Sequence, residues 1–129
     1  MKHNKRRILI VDDDDKHLVV TRDLLELEGY EVITHQNGFG VTNLVGLVRP
    51  DLVLLDVNMP ALSGDSLALL LKSNENTKRV PIVFYSSNDE DSLRSSASAY
   101  GVRGYICKGD IHGLRSKVRS YLALSRDHA

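Results

Sequence analysis

An acidic run, a lone aspartate, a serine and a lysine are the residues of this chain whose types could do chemistry. Asp12, Asp13, Asp14 and Asp15 stand together after the apolar run Ile8 to Val11. Asp56 ends a second apolar run, Leu52 to Leu55, and is followed by Val57, Asn58, Met59 and Pro60. Ser86 and Ser87 follow Ile82 to Tyr85, and Lys108 follows Gly104 to Cys107. Close carboxylates repel one another and raise each other's pKa unless a cation sits among them. Mg2+ suits such a set, because it is hard, takes oxygen ligands and keeps waters or a phosphate oxygen in its shell. A carboxylate can act as a nucleophile toward phosphorus. A metal and a lysine can neutralise the charge that develops on a transferring phosphoryl group.

The elements that must position these residues are legible from periodicity. Ile8 to Val11, Tyr30 to Thr34, Leu52 to Leu55, Ile82 to Tyr85 and Gly104 to Cys107 read as strands. Between them lie helical stripes. Val20, Leu24 and Leu27 stop at Gly29, and Val41, Leu44, Val45 and Val48 stop at Pro50. Leu67, Leu70 and Leu71 mark a third helix; Leu93, Ala97 and Tyr100, within Ser92 to Tyr100, mark a serine-rich fourth. Ile111, Leu114, Val118, Tyr121 and Leu122 mark the last. Strands apolar on both faces, alternating with helices, imply a parallel α/β sheet covered on both sides. In such folds the ligand lies beyond the carboxyl ends of the strands. Asp12, Asp13, Asp56, Ser86 and Lys108 all fall there.

Bulk properties narrow the classes. The 129 residues suit a single domain spanning 1–129, with a core from about 7 to 124. Charge balances at 17 acidic and 17 basic residues, which argues against nucleic acid as a direct ligand. Basic residues gather at Lys2, Lys5, Arg6 and Arg7 and again at Arg115, Lys117, Arg119 and Arg126. Five histidines, His3, His17, His35, His112 and His128, show no ligand spacing, and most of them read as surface residues. One cysteine, Cys107, excludes an internal disulfide; it reads as a small buried apolar residue and suits a cytoplasmic setting. No apolar run approaches the ~20 residues of a membrane span.

The sequences Ile8-Leu9-Ile10-Val11-Asp12-Asp13, Leu54-Leu55-Asp56-Val57-Asn58-Met59-Pro60, Pro81-Ile82-Val83-Phe84-Tyr85-Ser86-Ser87 and Gly104-Tyr105-Ile106-Cys107-Lys108 together resemble the receiver domain of two-component response regulators, including the stand-alone chemotaxis receivers. The resemblance runs from about Arg7 to Leu124. It implies a doubly wound five-stranded parallel sheet, the flavodoxin-like (βα)5 fold with strand order 2-1-3-4-5. It also implies a role for each site residue. Asp56 would be the phosphoacceptor. Asp13, Asp56 and the Asn58 carbonyl would bind Mg2+ directly, and Asp12 mostly through a water. Lys108 and Ser86 would contact the phosphoryl group. Ser86 and Tyr105 would form the switch. The resemblance further implies a signalling domain rather than an enzyme, with self-catalysed phosphotransfer and slow autodephosphorylation. The donor would be a histidine kinase or phosphotransfer protein, and the recipient a downstream protein or fused output domain. Such a chain would be a monomer or weak dimer and would not engage a membrane.

Other functions on a similar fold are less compatible with these residues. A flavin carrier needs a phosphate cradle after the first strand, where four aspartates would repel it. An aspartate phosphatase would have a second aspartate two residues after the nucleophile, where Asn58 stands. A pseudo-receiver, binding protein partners without phosphorylation, remains the alternative. One departure from the family pattern is Gly109, where proline usually follows the lysine. It predicts a trans or mobile Lys108–Gly109 bond, a displaced start to the last helix, and a loop that Gly109→Pro would tighten.

Overall fold

The structure, a computed structural model, describes residues 5–127; Lys2, His3 and His128 lie outside the described residues. Five strands alternate with five helices: β1 (Arg7–Val11), α1 (Asp15–Leu27), β2 (Glu31–His35), α2 (Val41–Val48), β3 (Leu52–Leu55), α3 (Gly64–Ser73), β4 (Ile82–Ser86), α4 (Glu90–Tyr100), β5 (Gly104–Cys107) and α5 (Ile111–Asp127). All strand pairings are parallel, in the order β2-β1-β3-β4-β5. The expected doubly wound flavodoxin-like sheet is therefore the observed one.

Both faces of the sheet are covered, which explains the unbroken apolar runs. Leu9, Val11, Val53, Leu55, Ile82 and Phe84 pack against α2, α3 and α4. Ile8, Ile10, Leu52, Leu54, Val83 and Ile106 pack against α1 and α5. The alternation within each strand assigns successive side chains to opposite layers. Each large aliphatic side chain fully buried this way contributes on the order of 1.5–3 kcal/mol.

The serine-rich α4 packs more firmly than its composition suggests. Leu93 and Ala97 are buried, and the Tyr100 ring meets Phe84 edge-on with centroids 6.4 Å apart. The helix starts at Glu90, two residues before the expected Ser92, because Asp89 caps it by accepting from the Ser92 amide. β2 also runs one residue later than its hydrophobicity indicates, through His35, because pairing with β1 carries to Val11.

Candidate functional site

Three backbone hydrogen bonds continue the sheet's ladder past its strands and fix the site. The Asp12 amide donates to the His35 carbonyl at 3.1 Å, the Asp56 amide to the Val11 carbonyl at 2.9 Å, and the Lys108 amide to the Ser86 carbonyl at 2.9 Å. The register aligns Val11 with Leu55, Leu55 with Phe84 and Ser86 with Cys107. Residues distant in sequence thus emerge together at the carboxyl edge. Asp12 and Asp56 are buried and Asp13 is exposed. One carboxylate oxygen from each of the three lies within 4.8 Å of the others. Lys108 Nζ reaches into this group, 2.8 Å from Asp12 Oδ2 and 3.4 Å from Asp56 Oδ2.

The electrostatics follow from that crowding. Burial, reinforced by the Asp12 charge, pushes the Asp56 carboxyl up from its ordinary 3.8 to about 6, although Lys108 and the Asn58 amide oppose the shift. Burial also works against the Lys108 ammonium. The Asp12 and Asp56 carboxylates outweigh it, so Lys108 is held above its ordinary value and stays charged. One ammonium neutralises only part of three carboxylates. Its shorter contact is with Asp12 Oδ2, which leaves Asp56 the weaker share. A hard divalent cation fits such an oxygen-only donor set, which is short of positive charge.

The neighbouring polar groups are arranged around Asn58 and Ser86. The Asn58 amide donates to Asp56 Oδ1 at 3.2 Å. Its side-chain nitrogen donates to Asn88 Oδ1 at 2.5 Å and, more weakly, to Ser86 Oγ at 3.4 Å. Ser86 is fully buried, and its hydroxyl also accepts from the Asn88 amide at 3.3 Å. Asp14 is not in the carboxylate group, because its side chain caps α1 by accepting from the Lys16 and His17 amides. The four-aspartate run thus divides into two site residues, a cap and Asp15 in the first helical turn.

The response regulator receiver domain family matches residues 8–119 of this chain. The chain belongs to that family. It is similar to the polar-differentiation response regulator DivK of Brucella anthropi, at 30% identity over 122 residues covering 91% of this chain and 96% of DivK. Its fold resembles a response regulator from Chloroflexus aurantiacus (26% identity, TM-score 0.86, 93% of this chain and 99% of that one). It also resembles the receiver domain of the Pseudomonas aeruginosa sensor histidine kinase PA1611, whose structure has a magnesium ion coordinated in the active site cleft (25% identity, TM-score 0.83, 93% and 99%). The chain is thus a receiver domain of two-component signalling, and among the described residues no helix is long and apolar enough to cross a membrane.

As a receiver it has local features of its own. Tyr105, on β5, directs its phenol away from the carboxylates and donates to Glu90 Oε2 at 2.8 Å. Lys117 Nζ and the Arg94 guanidinium lie 4.7 and 5.8 Å from its ring centroid. The Lys108–Gly109 bond is trans, within the sequence expectation, but the expected disturbance of α5 is absent. That helix starts at Ile111, with Asp110 Oδ1 accepting from the Gly113 amide at 2.8 Å and the Asp110 carbonyl from the Leu114 amide at 2.9 Å. Gly109 has φ +92°, so Gly109→Pro cannot tighten this loop as it stands, since proline is fixed near −65°.

Sequence reasoning missed several residues of the receiver site. Gly64 opens α3 so close to β3 that a Cβ there would lie 2.0 Å from the Asp56 carbonyl oxygen, and its amide donates to the Val57 carbonyl. His17, assigned no role from the sequence, is half-buried with Nδ1 3.4 Å from Asp12 Oδ2. Burial and the Lys108 charge pull its pKa down, so it approaches the carboxylates as a neutral ring. Thr21 Oγ1 lies 3.3 Å from His17 Nδ1 and 3.2 Å from the Tyr85 phenol, completing a polar seam from α1 to β4 behind the site.

Proposed function

We propose that Asp56 is the phosphoacceptor of this receiver and that Mg2+ bound among Asp12, Asp13, Asp56 and the Asn58 carbonyl is required for the transfer. The observation that carries this reading is the pairing of one half-buried ammonium, Lys108, with a compact group of three carboxylates. Asp13 and Asp56 would hold the ion directly, and Asp12 mostly through a water. The ion would supply positive charge at the phosphoryl oxygens. The chain's own residues do the rest. A carboxylate oxygen of Asp56 forms the new bond to phosphorus as the bond to the donor breaks. Lys108 and the Ser86 hydroxyl then contact the phosphoryl oxygens. The Asp56 proton held at about pH 6 is lost at neutral pH or on binding the cation, which leaves the carboxylate nucleophilic.

Ser86 and Tyr105 would report the new charge of about −1.5 to −2 to the surface formed by α4, β5 and α5. The donor would be a histidine kinase or phosphotransfer protein, and the partner a downstream protein or output domain. The domain would act as a monomer or weak dimer in the cytoplasm. It would transfer the phosphoryl group to itself and release it slowly rather than turn over substrate. The whole chain, 1–129, would be one such unit.

Titration with beryllofluoride, with and without Mg2+ and followed by amide chemical shifts, tests this reading. Saturation at one equivalent that needs Mg2+ and moves Asp56, Ser86 and Lys108 supports it. A chain that never takes up the ligand would instead be a pseudo-receiver, binding partners without phosphorylation.

A further inference from the structure

The end of the sheet opposite the carboxylates holds an open groove of about 1270 Å³, formed where the chain enters β3, β4 and β5. Six cationic side chains line it against two acidic ones, Asp51 and Glu75. Both acids are already engaged, Asp51 by Arg6 at 3.6 Å and Glu75 by Lys78 at 2.9 Å. Lys72 donates to the Gly101 carbonyl at 2.7 Å and keeps its charge uncompensated. The remaining three cations are Arg49, Arg79 and Arg103, contributed by three different connections: α2 to β3, α3 to β4 and α4 to β5.

These three arginines are unusual within this chain. Six of the nine arginines whose side chains are described, Arg6, Arg7, Arg22, Arg94, Arg115 and Arg119, have a hydrogen-bonding or ionic partner. The three without a side-chain partner among the described residues all line this one groove. In a chain of zero net charge, four uncompensated positive charges thus gather at one end, while the carboxylate site occupies the other. Arginine's planar fork of donors matches phosphate oxygens two at a time.

We propose that this groove binds a small, multiply phosphorylated anion, with Arg49, Arg79 and Arg103 taking the phosphates. The site is independent of Asp56 and of any phosphorylation there. Its concave form, with arginines converging from three connections, suits a small molecule better than the long acidic face of a protein. A single-stranded nucleic acid is disfavoured, because stacking on aromatic side chains is part of that recognition and no aromatic residue lines the groove. Between the arginines, Val80, Pro81 and Val102 provide partly exposed apolar floor on which a nucleoside could rest.

Titration of the full chain with inorganic tripolyphosphate and, separately, with ATP tests the proposal. Chelator replaces Mg2+ throughout, so that the carboxylate site repels anions. Arginine side-chain and backbone resonances provide the readout. The proposal expects saturable shifts at Arg49, Arg79, Arg103 and Val102, with Arg115 and Arg119 on α5 unmoved. Equal affinity for the two probes identifies inorganic phosphate chains as the source; tighter binding of ATP identifies nucleotides. Arg79→Gln with Arg103→Gln should weaken binding by about a hundredfold, tenfold for each guanidinium removed, and leave beryllofluoride uptake at Asp56 unchanged. Shifts spread evenly over all exposed cations, or affinity unaltered in the double variant, would overturn the proposal. So would a short polyglutamate peptide that binds the groove more tightly than either phosphate, since that would make it a protein-docking surface.

Discussion

Lys108 Nζ lies closer to Asp12 than to Asp56, at 2.8 Å against 3.4 Å. This asymmetry explains why burial and its neighbour's charge can push the Asp56 carboxyl up while Lys108 itself stays firmly charged. The ammonium mainly compensates the fully buried Asp12, and Asp56 receives what remains. Asp56 is therefore the one buried carboxylate of the group left short of positive charge, as befits the position where a cation and a phosphoryl group would be gained.

Removing Lys108 should uncover that repulsion. Lys108→Met leaves Asp12 buried without its cation, a situation that typically costs about 3–5 kcal/mol. Urea unfolding at pH 7 without Mg2+ should show a loss of that order. Asp12→Asn combined with Lys108→Met should cost less than the sum of the two single changes, because the second removes the charge that the first stranded. Additive losses would mean that the two side chains do not depend on each other.

The raised Asp56 pKa makes metal-free stability depend on pH. The folded state holds this proton more tightly than the unfolded chain, so its contribution is complete below pH 3.8 and is lost as pH rises through about 6. The full difference corresponds to about 3 kcal/mol. Asp56→Asn should therefore be more stable than the unaltered chain at pH 7 in chelator, by an amount that shrinks toward pH 4. Added Mg2+ should stabilise the unaltered chain and have much less effect on the variant. A gap that is the same at pH 4 and pH 7 would refute the raised pKa.

The carboxylate site was legible in the sequence because strand ends are legible. Apolar runs covered on both faces must be strands of a parallel sheet, and such a sheet brings Asp12, Asp56, Ser86 and Lys108 to one edge whatever the loops do. The four-aspartate run was harder, because only cap geometry separates Asp14, bound to the α1 amides, from Asp12 and Asp13. Contacts made by side-chain direction across elements left no periodic signal. His17 beside Asp12, the Asn58–Asn88 hydrogen bond and the Tyr105–Glu90 hydrogen bond are of this kind. Gly64 had a signal that went unused: glycine at the first position of a helix, eight residues after a strand-end aspartate, admits a close backbone approach. After Lys108 the trans bond was anticipated, whereas the ordered start of α5 was not, because Asp110 caps that helix firmly enough to offset the freedom of Gly109.

Tyr105 is held outward by one hydrogen bond and two nearby cations. Glu90→Ala removes the acceptor and should release the ring to sample inward rotamers. The stability change should be small, about 0.5–1.5 kcal/mol or less, since the bond is exposed. Side-chain couplings and ring chemical shifts of Tyr105 measure this directly. The unaltered chain should show one dominant outward rotamer and the variant a mixture. An unchanged single rotamer would mean that the cations alone fix the ring.

The central claim is that Asp56 carries the phosphoryl group. The most direct measurement is intact mass followed by peptide mapping after incubation with acetyl phosphate and Mg2+. A single phosphoryl adduct is expected, located on the peptide containing Asp56, absent when chelator replaces Mg2+ and absent in Asp56→Asn. An adduct that persists in Asp56→Asn, or one that forms equally well in chelator, would contradict the account.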